Sequence, residues 1–145
     1  MRLPPLHPAG MPVNISCEYL GDLHTRAVHG PSGHAIVTDA PVDNQGKGEG
    51  FSPTDLAAAS MATCMLTILG IHARNTGLDL TGMRATVAKH MTTTPPRRIA
   101  RLEVEMTMPP GLPVEVRDRL VRAAEACPVK QSFHPSVEIV LSWKW

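Results

Sequence analysis

The stretch from Gly50 to Ala73 most constrains what this chain can fold into. It opens with a helix-start signal: Ser52 can accept from the free amides of a first turn, and Pro53 fits the first helical position. Asp55 adds a carboxylate to that turn. From Leu56 to Ile71 the residues are mostly Ala, Leu, Met and Ile, apolar nearly all round. Asn75 and Gly77 then offer a left-handed stop. A helix without a polar face must be covered, so it belongs at the centre of something. Its length approaches that of a membrane span. Ser60, Thr63, Cys64 and Thr67, the charged flanks and the lack of a second such segment favour a central helix of a soluble fold.

The rest of the chain reads as short strands and one more helix. Val13 to Leu20, Leu23 to His29 and His34 to Asp39 have strand character, separated by turns at Gly21-Asp22 and Gly30-Pro31-Ser32-Gly33. They form an antiparallel meander. Leu78 to Met91 and Ile99 to Met108 alternate apolar and polar residues and form a ribbon. Pro113 to Ala126 carries Val116, Leu120, Val121 and Ala124 at helical spacing. Pro128 forces its end. Val137 to Trp143 is a closing strand. The order βββ–α–ββ–α–β with hairpins dominant predicts an α+β fold with a mostly antiparallel sheet.

At 145 residues, one domain is the natural count. Residues 1–12, with four prolines and no periodicity, read as a loose leader, and residues 13–145 as the domain. Met11 is a second candidate start. No signal peptide is read at the N-terminus. The net charge of +1 and the small number of aromatic residues argue against nucleic-acid binding. Gly46-Lys47-Gly48-Glu49-Gly50 lacks the Gly-Lys-Ser/Thr ending of a phosphate loop. The expectation is a cytoplasmic protein that binds neither membrane nor nucleic acid.

Three cysteines, Cys17, Cys64 and Cys127, are too few and too scattered for a secreted disulfide framework. Cys64, mid-helix, reads either as a small packed apolar residue or as a nucleophile. Cys127 reads either as an element end without chemistry or as a resolving thiol. No Cys-x-x-Cys or His-x-x-x-His pair supports a metal site, and none is expected. Ser-His-Asp chemistry has no Gly-x-Ser-x-Gly elbow behind it.

Ser52-Pro53-Thr54-Asp55-Leu56 leading on to Cys64, with Cys127-Pro128-Val129-Lys130-Gln131-Ser132 near the end, resembles the osmotically inducible protein C and organic hydroperoxide resistance (OsmC/Ohr) family. Asp39-Ala40-Pro41-Val42-Asp43 fits the same pattern, as does the element order. The resemblance implies an OsmC-like fold packed on a buried central helix, built as an intertwined homodimer. It implies a thiol-dependent peroxidase reducing organic hydroperoxides, with Cys64 peroxidatic and Cys127 resolving. No bound cofactor is implied, only an external dithiol, a lipoyl dithiol being one candidate. The alternative is a small-ligand-binding or structural member of the same fold with packed cysteines.

Family members place an Arg from the N-terminal strands and a Glu before the helix beside the peroxidatic Cys. Here the position of the Glu holds Thr54, with Asp55 one step on and Glu49 in the loop. The position of the Arg falls near His24, with Arg26 two residues further. A mid-helix thiol draws little on its helix dipole, so a reactive Cys64 requires a cation. Arg26 is the first candidate and His24 the second, with Asp55 or Glu49 to orient it.

Overall fold

The computed structural model describes Gly10 and residues 12–145; most of the leader, with Met1 and Met11, lies outside the described residues. The chain forms two compact units, one ending at Pro53 and one running from Thr54 to Trp145.

The first unit is a three-stranded antiparallel meander of β1 (Ile15–Gly21), β2 (His24–His29) and β3 (Ala35–Asp39). Asp22 and Leu23 both take positive φ, 50° and 61°, so the β1–β2 connection is a tight two-residue turn. That turn moves the start of β2 from Leu23 to His24. His24 pairs with Gly21 on one side and with Asp39 on the other. A short 3₁₀ turn, Val42–Asn44, begins the loop that leads to the long helix.

The second unit holds α1 (Pro53–Thr76), β4 (Arg84–Met91), β5 (Ile99–Thr107), α2 (Val114–Glu125), α3 (Pro128–Ser132) and β6 (Glu138–Lys144). β4 pairs antiparallel with β5, and β6 pairs parallel to β5. The fold is α+β with two sheets, one antiparallel and one mixed. The order departs from βββ–α–ββ–α–β by one element. Pro128 ends α2, as its geometry requires, but it also occupies the first turn of the short helix α3. β4 starts later than the alternation predicts. The Asp79 carboxylate accepts from the Thr81 amide at 2.9 Å, and Gly82 takes a φ of 91°, so residues 79–82 turn rather than extend.

α1 is apolar and long enough to cross a membrane by length and composition. In this fold it lines the core of the second unit. Met61, Met65 and Leu69 are wholly buried, in one cluster with Leu102, Val104 and Met106 of β5 and Leu120 and Ala124 of α2. It is not covered all round: Ile71 is half exposed and Cys64 partly so. Gly77 takes a φ of 72° one residue past the helix, as the stop signal predicts. In β4, residues 85, 87, 89 and 91 turn toward the core and their neighbours toward solvent. The period of two is clear there, and a lysine occupies one of the inward places.

Candidate functional site

Within the second unit, the fold brings Cys64 and Cys127 together. Cys64 sits mid-way along α1, where its half-buried side chain packs on the core. Cys127 precedes α3 and is fully buried. The two thiols lie near enough for Cys64 to influence the ionisation of Cys127. The sulfur of Cys127 also accepts from the Lys130 amide at 3.5 Å, the capping bond of α3. Burial, and then the Cys64 contact, push the Cys127 thiol above its ordinary range; the Lys130 amide opposes them. The Lys130 ammonium is engaged by Glu125, and Gln131 donates to the Glu125 carbonyl at 3.1 Å. These contacts fix the α2–α3 corner that carries Cys127. Both thiols are free rather than bridged. The arrangement can therefore do dithiol chemistry: one sulfur reached by an oxidant, the other beside it to condense.

A groove of about 870 Å³ follows in the same unit, lined by Thr54, Ile99, Pro128, Val129, Phe133 and Val137 among others. Its walls are mostly apolar, and Pro128 and Val129 directly follow Cys127. Such a volume is typical of a small-ligand cleft.

The first turn of α1 is tied to the sheet by a residue that the sequence did not single out. Lys89 donates to the Thr54 hydroxyl at 2.8 Å and pairs with Asp55 at 2.7 Å. Its side chain is only 15% exposed. A signal was present: Lys89 shares the inward register of β4 with Ala85, Val87 and Met91. A charge in that series needs a partner, and Asp55 is that partner.

In the first unit, the His24 and Glu49 side chains meet, with Asp39 beside them. His24 Nε2 lies 3.0 Å from Glu49 and 3.6 Å from Asp39. The Asp22 carbonyl accepts from His24 Nδ1 at 2.7 Å. That bond first, and then the two carboxylates against the cost of burial, raise His24 above the usual histidine range. Asp39 is held below the carboxylate range, chiefly by the Glu49 amide, with His24 and the Lys47 amide adding to it. Asp39 was legible only as part of a motif, not as a member of this cluster. Arg26 is not in it: its guanidinium lies 3.8 Å from Glu18 on the neighbouring strand, and both side chains are well exposed. Cys17 is exposed on β1, opposite Ala27.

Comparison with known proteins agrees with this architecture. Residues 46–142 match the model of the OsmC-like protein family. A protein of Psychrobacter arcticus, assigned provisionally to osmotic stress induction and detoxification, is 43% identical. The similarity covers 96% of this chain and all of that one, with a TM-score of 0.86. An organic hydroperoxide resistance protein of Legionella pneumophila shares the fold at 19% identity, covering 94% and 99% of the two chains with a TM-score of 0.76. The organic hydroperoxide resistance protein OhrB of Bacillus subtilis does so at 17% identity, covering 92% and 98% with a TM-score of 0.68. No curated protein matches the chain. With the family model spanning more than half of its length and a relative at 43% identity covering nearly all of it, this chain belongs to the OsmC-like protein family.

Proposed function

We propose that this protein is a thiol-dependent peroxidase that reduces organic hydroperoxides to alcohols. The single observation that carries the reading is the nearness of a partly exposed Cys64 to a buried Cys127 in a fold shared with organic hydroperoxide resistance proteins. Cys64 is the partly exposed member of the pair, so it is the one a peroxide meets. Its thiolate attacks one peroxide oxygen; the O–O bond breaks, the sulfur becomes a sulfenic acid, and the alkoxide leaves and takes a proton as the alcohol. The Cys127 sulfur then displaces water from the sulfenic acid and forms a disulfide. An external dithiol reduces that disulfide and is itself oxidised. Mild oxidation suits a site where the resolving thiol is held neutral until it is needed.

The groove beside Cys127 supports an apolar substrate. A hydrocarbon tail gains about 25 cal/mol for each Å² it buries there, which hydrogen peroxide cannot gain. The test is peroxide consumption with dithiothreitol or dihydrolipoamide as reductant and cumene hydroperoxide as substrate. Wild type is expected to turn over and Cys64→Ser to be inert. Equal rates for the two would overturn the reading and favour packed cysteines in a binding protein of the same fold.

The same reading includes a homodimer. In the isolated chain Ile15, Tyr19, Ile36 and Val37 of the meander are half exposed or more, and Phe51 and Ile71 likewise. Exposed apolar surface on this scale calls for a partner, and a second copy offers the same surface in return. Light scattering at micromolar concentration is expected to return twice the mass of one chain; a stable monomer would remove this part. Three scattered cysteines without a secreted disulfide framework fit a reducing compartment, and a cytoplasmic location completes the reading.

A further inference from the structure

We propose that His24, Asp39 and Glu49 form a binding site for a divalent first-row metal ion, ligated by one imidazole nitrogen and two carboxylates. The site lies wholly within the first unit and does not depend on the thiol chemistry.

Among the described residues, these three each offer one ligand atom, and the three atoms lie within 4.8 Å of one another. The separations of 3.0 and 3.6 Å from His24 Nε2 are close to the edges of a coordination shell. Ligand atoms ~2.1 Å from one ion lie about 3.0 Å apart in octahedral and about 3.4 Å apart in tetrahedral geometry. A small cavity of about 180 Å³ opens at the same place, lined by His24, Val37, Thr38, Asp39, Glu49 and Gly50.

The observation that points to a ligand is the Asp39 carboxylate. Its side chain is only 2% exposed. Oδ2 is satisfied by the backbone amides of Lys47, at 3.2 Å, and Glu49, at 3.0 Å. Oδ1 is buried and has no hydrogen-bond partner. An ionised oxygen left so is costly, and natural folds supply a cation or a donor to it. Oδ1 faces His24 Nε2.

The tautomer of His24 follows from geometry. The Asp22 carbonyl can only accept, so Nδ1 carries the hydrogen of that 2.7 Å bond. Nε2 is then the atom that faces both carboxylates: without an ion it donates its hydrogen to Glu49 at 3.0 Å, and a metal would displace that proton and take the lone pair. A backbone carbonyl holding the far nitrogen is the usual support for a metal-ligating histidine. The ammonium of Lys47 is paired with Asp22 at 2.8 Å. The tight turn at Asp22-Leu23 sets His24 at the head of β2, and the register brings Asp39 opposite it. Two amides of the following loop then fold Glu49 back onto Asp39. One nitrogen and two oxygens suit Mn²⁺, Fe²⁺ or Zn²⁺. Spacing in the sequence argued against a metal because no two ligands are close in the chain; the meander and its loop bring them together instead.

Mn²⁺ is the probe of choice, because it prefers oxygen and nitrogen to the thiols elsewhere in the chain. The experiment is a titration of the full-length, chelator-treated protein with MnCl₂, with free Mn²⁺ read by electron paramagnetic resonance. Asp39→Asn can keep the loop, since its amide oxygen can still accept from Lys47 and Glu49 while its NH₂ group fills the place of Oδ1. Glu49→Gln alters an exposed residue and leaves the fold intact. The expected result is one ion per chain, at least tenfold weaker binding in each variant, and unchanged binding in the Cys64→Ser/Cys127→Ser protein. Absence of stoichiometric binding at millimolar Mn²⁺, wild-type affinity in either carboxylate variant, or loss of binding with the cysteines would overturn the proposal. Peroxide turnover is not a readout here, so failure of this site leaves the thiol mechanism untouched.

Discussion

The Cys127 thiol, buried at the head of a five-residue helix, lies beside the Cys64 thiol, partly exposed in the middle of a 24-residue helix. The asymmetry assigns the order of events. The thiol that solvent reaches can meet an oxidant; the one it does not reach can act only on what its neighbour has become.

The three cysteines should therefore alkylate in a defined order. Cys17 is exposed and should label first with iodoacetamide, Cys64 next and Cys127 last. Mass spectrometry of peptides across a pH series checks this. The raised Cys127 pKa also fixes the sign of a stability effect. The folded state holds the proton more tightly than the unfolded one, so this contribution is complete below the ordinary thiol pKa and fades as pH rises through the folded value. Cys127→Ala should flatten the alkaline decline of stability in urea titrations; a decline identical to wild type would count against it.

The two cysteines should also fail differently when removed. Cys64→Ser is expected to lose at least about a hundredfold in kcat/KM for cumene hydroperoxide, ~2.7 kcal/mol of transition-state stabilisation. Cys127→Ser should still react once and leave a sulfenic acid on Cys64 that dimedone traps. A dimedone adduct on Cys17 in its place would refute the assignment.

Lys89→Met should test the anchor of α1. Met keeps the length of the buried stem but cannot donate to Thr54 or pair with Asp55. The expected cost is about 1–2 kcal/mol in chemical denaturation, since a partly buried carboxylate loses its cation. Asp55→Asn should cost less, because an amide can still accept from Lys89.

The core offers a control of known size. Leu69 of α1 is wholly buried in the cluster that includes Leu102 and Leu120. Leu69→Ala should cost about 2–5 kcal/mol, mostly as transfer and cavity terms. Ile71→Ala, at a half-exposed place on the same helix, should cost far less in a monomer. A large Ile71 effect that depends on protein concentration would instead mark a surface covered by a second copy.

Local pattern was enough to settle much of this protein. The start of α1, its apolar length and its glycine stop are set by side-chain chemistry within a few residues, and they can be read directly. The alternation in β5 is a contest between solvent and core repeated every second residue, which also leaves a plain trace. The pairing of Cys64 with Cys127 was legible only through the likeness of their flanking residues to a family, not through spacing. Tertiary structure alone decided the rest. A proline reads as a stop, yet whether a new helix starts on it depends on what Cys127 and Lys130 can cap. The parallel pairing of β6 with β5 depends on where the α2–α3 corner returns the chain. Lys89 finds Asp55, and His24 finds Asp39 and Glu49, across long stretches of sequence. The physical reason is the same in each case. Periodicity records which way a residue faces relative to its own backbone, whereas a charged or ligating group is satisfied by whatever the fold brings opposite, and that partner leaves no mark on its local sequence.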